Sequence, residues 1–158
     1  MGLRKILTDK EPALHKTCRP VTEFDAKLHK LLDDMQETLE EANGVGLAAP
    51  QVGILRRVVI VDTGDGILEL INPTLVETDG EQEGAEGCLS VPGKYGWVTR
   101  PYYAKVRAQD RFGEWFEAEG EELIARCFCH ELDHLDGILY TQVMERFLTE
   151  DELMDCED

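Results

Sequence analysis

The sequence predicts an α+β domain, on three observations. A stretch near the N-terminus carries apolar residues at helical spacing. The middle of the chain alternates short apolar runs with turn residues. A second helical stretch near the C-terminus holds His130-Glu131-Leu132-Asp133-His134. At 158 residues the chain is long enough for one domain with a substantial core and short for two. It shows no internal repeat, low-complexity tract or linker, so residues 1–158 are expected to form one domain.

The first helix is expected over residues 23–43. Phe24, Leu28, Leu31, Leu32, Met35 and Leu39 fall on one of its faces, Thr22 can cap its start, and Gly44 is placed to end it. Residues 44–53, which contain glycines and Pro50, read as a loop. Residues 58–61 and 67–71 read as strands joined by a turn at 62–66, and residues 104–109 and 115–118 as a second hairpin around 111–113. The last helix is expected over residues 121–135, stopping near Gly137. The pattern gives no explanation for the charge of residues 77–86.

Lys and Arg number 16 against 33 Asp and Glu, a net charge of −17. Such a surface repels phosphates, so direct nucleic-acid binding is not expected. From Glu114 onward there are 15 acidic and 2 basic residues, so most of the excess lies in the last part of the chain. Residues 1–10 lack the apolar run of a secretion signal, and Ile6 stands where a myristoylation pattern needs Ser or Thr. No apolar run approaches a membrane span. Five cysteines in a chain without a leader argue for a reducing cytoplasm rather than a disulfide framework.

The chemistry starts at His130 and His134. In a helix, residues four apart share a face, so two imidazoles can bind one metal ion together, and Glu131 can act on a water held there. A catalytic ion usually takes a third protein ligand. The extended motif that would supply a third histidine runs through Gly137 and then fails, because position 140 is Tyr140. Cys88, in Glu86-Gly87-Cys88-Leu89-Ser90-Val91-Pro92, is one candidate, since thiolates bind divalent transition metals strongly. Its rivals are Cys127, on the face of His130, and Cys129, which points elsewhere. Gly44-Val45-Gly46-Leu47-Ala48-Ala49 formally matches a dinucleotide fingerprint, but a helix precedes it where a strand is required and Pro50 follows. A loop whose backbone approaches a ligand is the better reading, with the Gln51 amide as a neutral donor for a developing oxyanion.

Taken together these segments resemble the peptide deformylase family. Gly44-Val45-Gly46-Leu47-Ala48-Ala49-Pro50-Gln51 and Glu86-Gly87-Cys88-Leu89-Ser90 fit its first two motifs in full. Cys129-His130-Glu131-Leu132-Asp133-His134-Leu135 fits the third except at Cys129, where the family usually has Gln. The resemblance covers about residues 3–147. It implies mixed or antiparallel sheets packed around a central metal-binding helix that carries His-Glu-x-x-His, with a long amphipathic helix near the N-terminus. It implies one divalent metal held by Cys88, His130 and His134, Fe²⁺ in the cell and replaceable by Zn²⁺, Ni²⁺ or Co²⁺. The implied activity removes the N-formyl group from the N-terminal formylmethionine of nascent polypeptides, releasing formate.

The resemblance also implies roles for single residues. Glu131 would transfer the proton, and Gln51 and the Leu89 N–H would meet the oxyanion. Gly44, Val45, Gly46, Glu86 and Gly87 would lie along the substrate. By helical spacing, Leu123, Cys127 and His130 fall at i, i+4 and i+7 on one face and, with Val45, are expected to wall an apolar pocket for the methionine side chain. Asp133 could orient a ligand. Two further departures stand out beside Cys129. Where many members have an arginine past Pro92, this chain reads Gly93-Lys94-Tyr95, and its residues 149–158 are short and acidic where some members carry a basic ribosome-docking extension. A cytoplasmic monomer that works near the ribosome without a docking tail is expected. The alternatives are a related hydrolase acting on another N-acyl amine or peptide, and a metal-binding module without turnover.

Overall fold

The computed structural model describes residues 2–152. After a single 3-10 turn at Pro12–His15 come helix α1 (Ala26–Ala42), strand β1 (Gly46–Ala48) and a second 3-10 turn (Ala49–Val52). Strands β2 (Val58–Asp62), β3 (Ile67–Asp79), β4 (Gln82–Cys88), β5 (Val91–Arg100), β6 (Tyr103–Gln109) and β7 (Trp115–Glu121) follow. The chain then forms helix α2 (Leu123–Leu135), a 3-10 turn (Tyr140–Gln142) and the short strand β8 (Arg146–Phe147). One sheet has the order β1-β2-β3-β6-β7 and the other β4-β5-β8. Every ladder among the described residues is antiparallel.

The helices sit on opposite faces of the larger sheet, and β2 shows why. Val58, Val59, Ile60 and Val61 are all fully buried. Val58 and Ile60 pack with Leu28, Leu32, Met35 and Leu39 of α1, while Val59 and Val61 pack with Ala125, Phe128 and Leu135 of α2. A strand covered on both faces reads as a continuous apolar run rather than an alternation. A third cluster, Leu14, Val91, Val98, Leu139 and Tyr140, backs the smaller sheet. Helix α2 is therefore wedged between the two sheets, and what it carries is brought against β1 on one side and β4–β5 on the other.

Several boundaries differ from expectation. Asp25, not Thr22, caps α1, its Oδ1 accepting from the Leu28 N–H at 3.1 Å. The helix ends on Asn43, whose φ of 53° is left-handed, one residue before the glycine expected to stop it. Asparagine tolerates that conformation better than other residues with a Cβ. Helix α2 starts at Leu123, because Glu122 turns the chain with φ 54°. Part of the expected loop 44–53 is β1, which pairs Gly46 with Val61 and Ala48 with Val59. Residues 77–86 are the end of β3, a turn at Gly80, and the start of β4. Their polar, exposed strand positions carry no hydrophobic alternation to announce them.

The end of α2 is tied to the N-terminal segment. Cys18 N–H donates to Leu135 C=O at 2.8 Å. Gly137 has φ 76°, and a Cβ there would lie 2.7 Å from the His15 carbonyl carbon. Gly64 is also left-handed, at φ 91°, but has open space around it. Gly64→Ala should therefore cost only the backbone strain, about 1–2 kcal/mol. Gly137→Ala should cost at least twice as much, because backbone has to move. Urea unfolding of the two variants compares them directly.

Candidate metal centre

His130 and His134 lie one turn apart on α2, with ring centroids 5.0 Å apart and planes at 76°. Cys88 is the last residue of β4, and its Sγ is 3.3 Å from His134 Nε2. One donor atom from each of Cys88, His130 and His134 falls within 4.8 Å of the others. Two features of the sequence produce this convergence. The i, i+4 spacing puts both imidazoles on one face of α2. The tight connection between β4 and β5, in which Cys88 pairs with Val91, presents the thiol at the tip of a hairpin.

The support behind His130 is a buried ion network. The His130 Nδ1–H donates to Glu86 Oε2 at 2.6 Å, so Nε2 is the ring nitrogen left to face a metal. Glu86 also accepts from Arg100 Nε at 3.0 Å, Arg100 Nη2 at 2.7 Å and Arg126 Nη1 at 3.0 Å. Arg100 in turn donates to Asp133 Oδ2 at 2.8 Å. Burial opposes the Glu86 charge, but hydrogen bonds from His130 and Arg100 outweigh it and hold the carboxyl at about 2. Burial, with help from His130, pushes His134 well below the ordinary histidine range, so it stands neutral, as a metal ligand must.

The set fits a divalent transition ion: one thiolate, two imidazoles, and a carboxylate alongside that is not itself in the cluster. Glu131 is almost fully buried, and its Oε1 has no hydrogen-bond partner among the described residues. Burial raises its carboxyl to about 7, against the pull of His130. An unpartnered buried carboxylate oxygen beside three convergent ligands is a place for a water or substrate atom.

A model of the polypeptide deformylase family matches residues 3–149. The chain belongs to that family. It is 59% identical over 145 residues to a peptide deformylase of Agathobacter rectalis, covering 92% of each chain. It is 50% identical over 159 residues to peptide deformylase 1 of Bacillus subtilis, covering 99% of each. Among solved structures, the peptide deformylase of Thermotoga maritima superposes with a TM-score of 0.88 at 41% identity, over 90% of this chain and 98% of that one. A peptide deformylase of Synechococcus elongatus in complex with actinonin gives the same TM-score at 33% identity, over 98% and 84%.

The deformylase motifs meet at a cleft of about 470 Å³ beside the three ligands. Gly44, Val45, Gly46, Gln51, Glu86, Gly87, Leu89, Leu123, Cys127 and Glu131 all border it. Gly46 has to be glycine, since a Cβ there would lie 2.6 Å from Cys127 Sγ and 2.7 Å from Glu131 Oε2. Cys127 is thus a filler under β1, its thiol pushed well up by burial, and neither it nor Cys129 joins the ligand cluster. Glu86 borders the cleft with its carboxylate already committed to His130 and two arginines. Gln51 is buried, accepts from the Ala48 N–H at 2.9 Å through Oε1, and donates through Nε2 to Ser90 Oγ at 3.1 Å. Leu89 turns its side chain to the α1 cluster, and its N–H meets no acceptor among the described residues.

Sequence reasoning missed Arg100, Arg126 and Ser90. Lys94 is the cation nearest the position of the family arginine, but its Nζ sits 5.3 Å over the Phe147 ring, and it is Arg100 that binds Glu86. Arg100 holds Glu86 from the far end of β5, and no local spacing signals that pairing. Removing Arg100 takes two of the four hydrogen bonds from the buried Glu86 carboxylate and leaves those of Arg126 and His130. Arg100→Leu should therefore lose unfolding free energy in urea, up to the about 3–5 kcal/mol typical of a broken buried pair, whereas Lys94→Ala should stay within about 0.5 kcal/mol of the wild type.

Proposed function

We propose that this protein is a metal-dependent peptide deformylase. It hydrolyses the N-formyl group from the N-terminal formylmethionine of nascent polypeptides and releases formate and a free amine. The observation that carries this reading is the convergence of Cys88, His130 and His134 with Glu131 and Gln51 at one cleft. The whole chain, residues 1–158, serves as one catalytic domain.

Cys88, His130 and His134 would hold the ion, Fe²⁺ in the cell, with Zn²⁺, Ni²⁺ or Co²⁺ as substitutes. When bound, the ion supplies a Lewis acid that polarises the formyl carbonyl and acidifies a water. Glu131 takes the proton of the attacking water and later delivers it to the leaving amine. The Gln51 amide N–H and the Leu89 backbone N–H donate to the oxyanion. Glu86 acts from behind, fixing the His130 ring so that Nε2 faces the ion. β1 is an edge strand of its sheet, so its free side can receive an extended peptide as an added strand along Gly44, Val45 and Gly46, with Gly87 opposite. Leu123, Cys127 and Val45 give apolar surface for the methionine side chain. Leu123 and Val45 are 57% and 38% exposed, which suits a pocket wall better than a core.

No helix among the described residues is long and apolar enough to cross a membrane. A cytoplasmic monomer that meets nascent chains near the ribosome, without binding nucleic acid directly, accords with the net charge of −17. Of the acidic segment 149–158, residues 153–158 lie outside the described residues.

Protein loaded with Fe²⁺ without oxygen should release formate from formyl-Met-Ala-Ser and leave acetyl-Met-Ala-Ser intact. A chelator should abolish the activity, and added Ni²⁺ or Zn²⁺ should restore part of it. Glu131→Ala should retain metal while losing about 10²–10⁴ in turnover. No formate from fully loaded wild-type protein, or cleavage of the acetyl peptide at a similar rate, would overturn the reading.

A further inference from the structure

Ser90 follows two residues after the ligand Cys88, and its side chain is completely buried. It makes three contacts, each to a different part of the site. Its Oγ accepts from Gln51 Nε2 at 3.1 Å. Its N–H donates to Cys88 Sγ at 3.4 Å. Its C=O accepts from the Asp9 N–H at 2.8 Å, next to the bond from the Leu7 N–H to the Gln51 C=O at 2.7 Å. The segment around residues 7–9 thus straps Gln51 and Ser90 together through their backbones, while the Oγ contact joins their side chains.

A primary amide has one acceptor oxygen and two donor hydrogens. In Gln51 the oxygen is taken by the Ala48 N–H, which fixes which end of the amide is which. The Ser90 hydroxyl takes one of the two hydrogens. The second points toward the ligands, where Nε2 lies 3.6 Å from Cys88 Sγ. Without the hydroxyl, the amide would keep the Ala48 bond and the longer 3.6 Å contact to Cys88 Sγ, and with its firmer acceptor gone it could turn about its last torsion, a soft rotation.

We propose that Ser90 is a positioning residue for the deformylase reaction: its buried hydroxyl locks the Gln51 carboxamide so that one N–H is always aimed at the oxyanion. This rests on the deformylase reading above. Preorganised donors matter because they need no rearrangement as charge develops, and removing an oxyanion donor outright costs about 10²–10³ in kcat. Misaiming it should cost part of that. The effect should fall on kcat rather than KM, since the oxyanion exists only past the ground state.

The test is a double-mutant cycle on formate release, with metal content measured in every variant. Ser90→Ala should lower kcat roughly ten-fold, with KM and bound metal unchanged. In a Gln51→Ala background the same change should have no further effect, because nothing is left to aim. Ser90→Thr keeps the hydroxyl and should stay near wild type. Ser90→Cys fills similar space with a weak acceptor and should fall with alanine, so this pair decides the matter if Ser90→Ala does not fold. A readout independent of turnover is the NMR signal of the Gln51 side-chain amide in zinc-loaded protein. It should move and exchange faster in Ser90→Ala, and it is interpretable even if the wild type releases no formate. Equal losses from Ser90→Ala with and without Gln51, an unchanged kcat, or an unmoved Gln51 amide signal would each overturn the proposal.

Discussion

The buried carboxylate of Glu86 is the constraint on which the site depends. It sits on β4, is bound by Arg100 at the end of β5, by Arg126 in the first half of α2 and by His130 one helical stretch later. Three elements are thereby clamped to one pair of oxygens. A carboxylate with its side chain only 4% exposed would be strongly penalised alone, and two guanidiniums and an imidazole N–H satisfy it. The arrangement fixes more than position. Because the acceptor at Nδ1 is a carboxylate, that nitrogen carries a proton and the ring is held with Nε2 away from Glu86. The angle between β4 and α2, and with it the approach of Cys88 to the two histidines, follows from the same contact.

Glycine supplies the complementary constraint at the front of the site. β1 approaches α2 so closely that Gly46 has no room for a Cβ against Cys127 and Glu131. Gly87 likewise faces the Tyr95 ring, where a Cβ would lie 2.6 Å from a ring carbon. One glycine lets a strand edge lie directly over the Glu131 carboxylate, and the other lets an aromatic ring close over the hairpin tip. The cleft is thus shaped by ions behind the ligands and by missing side chains in front of them.

What the sequence disclosed and what it withheld follow from range. The two histidines, Glu131 and the helix that bears them are local: a spacing of four residues carries the geometry. β2 was legible because four consecutive apolar residues are covered on both faces. Choosing Cys88 over Cys127 by residue chemistry alone was not possible, because Cys127 shares the helix face of His130. Only the close packing of Gly46 shows that face to be occupied by β1. β4 and β5 were illegible because glycines and charged residues occupy their inward positions: β5 buries Gly96, Val98 and Arg100 in alternation, and β4 buries Glu86, so the hairpin that delivers Cys88 carries no apolar alternation. Arg100 and Arg126 were missed for the same reason. Their partner Glu86 is 14 and 40 residues away, and an arginine bound for the interior looks, in sequence, like one bound for solvent.

The distribution of charge follows from these placements. Two of the 16 cations are buried against Glu86 and contribute nothing to the surface field. The acidic excess, in contrast, is nearly all outside. β7 alternates exposed and half-buried positions, and Glu117, Glu119 and Glu121 occupy the exposed ones. Only 6 of the 15 acidic residues after position 113 belong to residues 149–158. The β7 glutamates also face cations on the neighbouring strand: Glu119 lies opposite Lys105, whose Nζ is 3.9 Å from its Oε2, and Glu117 lies opposite Arg107. The metal cleft opens elsewhere, between β1 and the β4–β5 hairpin, where glycines, Val45, Tyr95 and Leu123 form the rim and Lys94 stands nearby. That rim therefore offers backbone and apolar surface, whereas β7 offers paired charge.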